Sequence, residues 1–112
     1  MVDSGTPERR DEPAYSLDGI RRLAGFSQVE YRGKKVLRDV AGLGYRFEDV
    51  CHCLLALQAE DFSHSERYEN FPCWHDVYKI RHTGRDGKIH RLYIKLRTSV
   101  DCVTIELCSF HP

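Results

Sequence analysis

The sequence predicts an α+β fold, with N-terminal helices packed on a C-terminal antiparallel β-sheet. Two periodicities predict it. In the first half, Phe47, Val50, Cys51, Leu54 and Leu57 recur at helical spacing. After Gln58 the apolar period drops from about 3.6 residues to about 2, as in Leu92, Ile94 and Leu96. Helices followed by consecutive strands is the α+β order. Length agrees: 112 residues fall within the roughly 100–200 expected of one domain.

Residues 1–14 read as a flexible tail, with two prolines, a glycine and mixed charge, and residues 15–112 as the folded domain. Ser16 is a suitable N-cap for the first helix, and Asp18 suits its positive end. Leu17, Ile20, Leu23 and Ala24 form its apolar stripe, and Gly25 is placed to end it. Residues 28–31 form an extended link. A second helix over 33–41 turns Val36, Leu37 and Val40 inward and breaks at Gly42 and Gly44. The third starts near Phe47, with Glu48 and Asp49 in its first turn but no good N-cap.

Residues 64–69 then suit an edge strand, and Pro72 interrupts before a strand over 74–82. Residues 83–87 carry an Asp-Gly turn signal for a hairpin. Strands over 88–98 and 102–110 complete the sheet. The last places Val103, Ile105 and Leu107 in the core and Thr104, Glu106 and Cys108 outward.

No stretch approaches the roughly 18 apolar residues of a membrane span, and the acidic, polar start does not resemble a secretory leader. The expected setting is a reducing cytoplasm, with free thiols. Cys51-His52-Cys53 invites a metal reading. On a helix, however, positions i and i+2 point roughly 200° apart, so core packing is expected instead. No metal site and no cofactor are predicted.

Basic and acidic residues number 17 each, so net charge alone selects no polyanionic partner. Their distribution does. Residues 77–100 hold seven basic residues and one acid, whereas residues 60–76 hold five acids and one arginine. On the strand over 88–98, Leu92, Ile94 and Leu96 must face the core. Arg91, Tyr93, Lys95 and Arg97 therefore share the other face. Cations interleaved with an aromatic ring suit an RNA backbone and its bases; an ordinary solvated sheet face has the same composition.

His64 and His75 lie on the two preceding strands. Imidazole, with an ordinary pKa of about 6.5, can take a proton from a 2′-hydroxyl or return one to a departing 5′-oxygen, while cations stabilise the phosphorane. The expected roles are acid and base for His64 and His75 in undecided order, orientation or shared proton transfer for Tyr93, and phosphate binding for Arg91, Lys95 and Arg97. A non-catalytic nucleic-acid-binding regulator, or an interaction module using exposed strand edges, are alternatives from the same residues.

Leu43-Gly44 with Phe47, Leu57, Asp61-Phe62, Trp74, Asp76-Val77-Tyr78, Leu92-Tyr93-Ile94-Lys95 and Ser109-Phe110 form a further pattern, with residues 20–23 fitting more loosely. Together they resemble the MqsR family of bacterial toxins, ribonucleases of toxin–antitoxin modules with a RelE-like fold. The resemblance implies a small cytoplasmic endoribonuclease that cleaves mRNA without the ribosome, and an antitoxin partner. The family's active tyrosine falls on Tyr93. His64 stands where a lysine is typical, His75 where a glutamine is, and His111 where a basic residue follows the last phenylalanine. Those departures change the proton chemistry available at each position.

Overall fold

The computed structural model describes residues 7–112. Three helices cover one face of a six-stranded sheet. The elements are β1 (Glu8–Arg10), α1 (Leu17–Gly25), β2 (Val29–Tyr31), α2 (Lys34–Gly42), α3 (Phe47–Leu55), a 3₁₀ turn (Ala59–Asp61), β3 (Phe62–Tyr68), β4 (Phe71–Thr83), β5 (Ile89–Thr98) and β6 (Ile105–His111). Spatial order is β1-β3-β4-β5-β6-β2, antiparallel except for the parallel β2–β6 pair. This is the expected α+β, RelE-like architecture.

Helix α1 starts as the sequence predicts, Ser16 Oγ accepting the Gly19 amide at 3.2 Å. Gly25 is its last residue, but the left-handed position is Ser27, at φ 58°. At α3 the missing cap is supplied from inside the helix: Asp49 accepts the Arg46 backbone N–H at 2.8 Å. Ile20, Val36, Val40, Val50 and Leu54 from the helices meet Leu92, Ile94, Leu96, Ile105, Leu107 and Phe110 from the sheet, forming one apolar core. Cys53 belongs to it and Cys51 is buried, so both thiols pack as small hydrophobes.

Five expectations need correction. Leu37, expected to face inward on α2, is exposed. Residues 1–6 of the expected tail lie outside the described residues, but Glu8–Arg10 is a strand paired with β3, so β3 is not the sheet edge. The 28–31 link is also a strand, held beside β6 by parallel pairing. Pro72 lies inside β4, near its exposed start. Val103 is exposed, because the 99–104 turn lasts longer than expected and β6 begins only at Ile105.

The chain entering α1 is fastened by Asp76. Its fully buried carboxylate accepts the Ala14 N–H at 2.9 Å, the Tyr15 N–H at 3.0 Å and the Ser65 hydroxyl at 2.8 Å. Tyr15 Oη donates to the Trp74 carbonyl at 2.6 Å. The Trp74 ring lies between the guanidinium groups of Arg10 and Arg67, at 4.3 and 4.8 Å. Asp76 and Trp74, prominent in the sequence pattern, thus hold the fold together on the side away from the candidate site.

Candidate functional site

Opposite the helices, side chains of β3 to β6 form cross-strand rows. Glu66 pairs with His75, whose ring reaches Arg97, and Arg97 pairs with Glu106. One step along, His64, Val77, Lys95 and Ser109 make the second row. Lys79, Tyr93 and His111 make the third, and Arg81 faces Arg91 in the fourth.

Two bulges put histidines on this face. Phe62 pairs with Tyr78 and His64 with Val77, so Ser63 is an extra residue. Were Ser63 paired in a regular strand, His64 would share the core side with Phe62. Likewise Leu96 pairs with Leu107 and Lys95 with Ser109, leaving Cys108 extra. That shift sends Phe110 inward and His111 outward.

The first two rows form a compact, mostly buried polar cluster. His64 is 9% exposed, His75 and Glu66 5%, and Arg97 9%. His64 Nε2 is 2.7 Å from Glu66 Oε1, and its Nδ1 is 2.9 Å from the Ser63 hydroxyl. Because the carboxylate only accepts, Nε2 carries a proton; the Ser63 hydroxyl donates to Nδ1 of the neutral ring and accepts from it when the ring is an imidazolium. Tyr68 Oη donates to the second Glu66 oxygen and accepts from Lys95 Nζ at 2.7 Å. Lys95 Nζ is also 3.4 Å from Glu66.

Arg97 donates to Glu106 through Nε at 2.5 Å and to His75 Nε2 through Nη1 at 3.1 Å. The guanidinium has no lone pair to offer, so His75 Nε2 is the acceptor and Nδ1 carries the hydrogen. Nδ1 is buried without a well-formed hydrogen bond; the Glu66 backbone gives it only weak support. The rings of Tyr68 and Phe71 pack against His75 at 5.6 and 5.5 Å.

These surroundings set the charges. Burial pushes the His75 pKa down, and the positive charges of Arg97 and Lys95 push it further, so the ring is neutral at pH 7. Burial pushes the Glu66 carboxyl up, but hydrogen bonds from Tyr68 and His64 and the Lys95 charge outweigh it and hold it at about 2. Burial also opposes charge on Lys95, yet the Tyr68 hydrogen bond and Glu66 keep its pKa raised, so it stays an ammonium. Burial raises the Tyr93 phenol.

Of the residues expected from sequence, His64, His75, Lys95 and Arg97 gather in one cluster. Tyr93 is adjacent to it, one row beyond Lys95. Arg91 and His111 sit farther along, with His111 stacked on Tyr93 at 5.1 Å and 17°. Glu66, Tyr68 and Glu106 were missed. Period 2 from His64 would have placed Glu66 and Tyr68 beside it. The segment read instead only as an edge strand in an acidic stretch. Among the described residues, no group of three or more His, Cys, Asp or Glu is arranged to hold a metal ion, and no helix is long and apolar enough to cross a membrane.

The family model described as "Motility quorum-sensing regulator, toxin of MqsA" matches residues 12–112. The chain belongs to the MqsR toxin family. No curated protein matches it. The match covers every element from α1 onward, so the open face of this MqsR-family toxin lies wholly inside the family region.

Proposed function

We propose that this MqsR-family toxin is a cytoplasmic endoribonuclease that cleaves mRNA independently of the ribosome, using side-chain acid–base chemistry and no metal or cofactor. One observation carries the reading: two imidazoles, the Lys95 ammonium and the Arg97 guanidinium gather on the open sheet face beside Tyr93. An incoming phosphate competes for Arg97 and draws it from His75 Nε2. The freed nitrogen takes the 2′-hydroxyl proton as that oxygen attacks phosphorus. His64 enters as the imidazolium, its Nε2–H held by Glu66, and gives its Nδ1 proton to the 5′-oxygen as the P–O5′ bond breaks. Lys95 and Arg97 stabilise the added negative charge on the phosphorane, and Tyr93 orients the substrate. The products are a 2′,3′-cyclic phosphate and a 5′-hydroxyl. An antitoxin protein is the expected partner that holds the toxin inactive.

A specific observation favours a second reading. Both nitrogens of His64 and Nε2 of His75 are engaged within the protein, which suits a non-catalytic RNA-binding regulator using the same face. Cleavage of a long mRNA in EDTA separates the two. The enzyme reading expects undiminished scission, the products named above, and a His75→Ala protein that binds RNA without cutting it. Binding with no scission by the unaltered protein would establish the regulator reading, and a fully active His64→Ala, His75→Ala protein would end the proposed mechanism.

A further inference from the structure

Beyond the buried cluster, the third and fourth rows border a groove of about 700 Å³ lined by Asp61, Lys79, Arg81, Arg91, Tyr93 and His111. Its cations differ from Lys95, Arg97 and Arg67, each of which has a carboxylate partner, respectively Glu66, Glu106 and Glu8. Lys79, Arg81 and Arg91 are exposed, and among the described residues none lies within ion-pair distance of a carboxylate. The groove's one acidic side chain, Asp61, is engaged with the Gln58 backbone N–H at 2.8 Å.

Moreover, Arg81 and Arg91 are direct cross-strand partners. Like charges placed opposite each other on a sheet destabilise it, and among the described residues no carboxylate lies within ion-pair distance of either. An anion between them would offset the repulsion. The parallel Tyr93–His111 stack at the groove's near end offers a flat surface on which a nucleobase can extend the stack.

From Lys95 to Arg91 is four residues along one strand, about 13 Å. That is farther than a single phosphodiester linkage reaches, so Arg91 and its partner Arg81 address a neighbouring nucleotide and not the scissile phosphate, with Lys79 one row nearer, between the two. We propose that the Lys79–Arg81–Arg91 groove is a single-stranded RNA subsite, holding the backbone beside the cleavage point by charge and one adjacent base by stacking. It rests on the ribonuclease reading for its biological role, but the binding itself does not require catalysis. Charge contacts of this kind carry no base code, so the subsite contributes affinity and preference for long RNA, not sequence choice.

The test measures binding of a labelled, unstructured RNA of roughly 12 nucleotides across a salt series, in the full chain carrying His75→Ala. Single-strand binding loses about 0.7 in log–log salt slope per phosphate contact. Adding Lys79→Ala, Arg81→Ala and Arg91→Ala together should lower the slope by about 2 and weaken low-salt binding at least tenfold. Lys35→Ala, on α2 at the opposite face, serves as the control and should leave the slope as it was. The triple variant should melt no lower than its parent, since like-charge repulsion is relieved. In the cleaving protein, the same three substitutions should shrink the advantage of the long RNA over a dinucleotide. An unchanged slope with unchanged affinity overturns the subsite even if cleavage is confirmed. A reduced slope in a protein that never cleaves RNA removes the ribonuclease reading and leaves the subsite standing.

Discussion

The imidazole of His64 and the carboxylate of Glu66 lie 2.7 Å apart, two residues from each other on one strand, both nearly closed to solvent. Neighbours at i and i+2 share a face, so the strand itself presents the pair. A carboxylate in that place fixes which nitrogen holds the proton, as the aspartate does in a Ser-His-Asp triad. Glu66→Gln keeps the shape but removes the anion. Single-turnover cleavage should slow on the order of 10²-fold, within the usual range for acid–base groups, while RNA affinity holds or rises. Unimpaired cleavage would remove Glu66 from the mechanism.

Glu66 also ties stability to acid. Its folded pKa of about 2 lies below the ordinary value of 4.5. The unfolded chain therefore binds the proton first. The stability that Glu66 contributes is fully present above pH 4.5 and is lost as pH falls toward 2. Thermal melts across that window should show a steeper fall for the unaltered protein than for Glu66→Gln. Parallel curves would contradict the assignment.

His75 should set the acidic limb of the cleavage profile. Its pKa is lowered by burial and then by Arg97 and Lys95, so the limb lies below the ordinary 6.5. Arg97→Met removes one of the two cations and should move the limb to higher pH, besides lowering the maximal rate. Titration of the His75 ring by NMR should move in the same direction. A limb that stays in place would mean another group is titrating.

Asp76 tests the anchor on the other side. Asp76→Ala leaves the amides of Ala14 and Tyr15 without their acceptor, while the Ser65 hydroxyl keeps the His75 carbonyl at 3.1 Å. Buried groups so orphaned cost about 1–3 kcal/mol each before relaxation. Urea unfolding should show a loss of roughly 2–4 kcal/mol, and Asp76→Asn, which keeps one acceptor oxygen, a smaller one. Equal losses would show that shape, not hydrogen bonding, matters there.

Within the core, Leu96 is fully buried against both helices and sheet. Leu96→Ala should cost about 2–5 kcal/mol, read from the same unfolding curves with unchanged m-value.

Periodicity made the helices and the two long central strands legible. The α1 cap, the apolar stripes and the inward set on β5 all rest on contacts local enough to leave a pattern in the residues. β1 and β2 were not legible: three residues each, they are strands only because β3 and β6 offer unsatisfied backbone groups beside them. At the site, the shared face of Arg91, Tyr93, Lys95 and Arg97 followed from alternation alone. Glu66 and Tyr68 were within reach of the same rule, applied from His64.

By itself, then, the sequence determined the α+β order, the family and the cationic face of β5, because each depends on spacing along one segment. Tertiary structure alone decided which histidines join that face. Ser63 and Cys108 each add one residue to a strand, and with a period of two, one residue reverses every side chain beyond it. Such an insertion leaves no mark in composition, since a bulge is defined by the partner strand that it slips against.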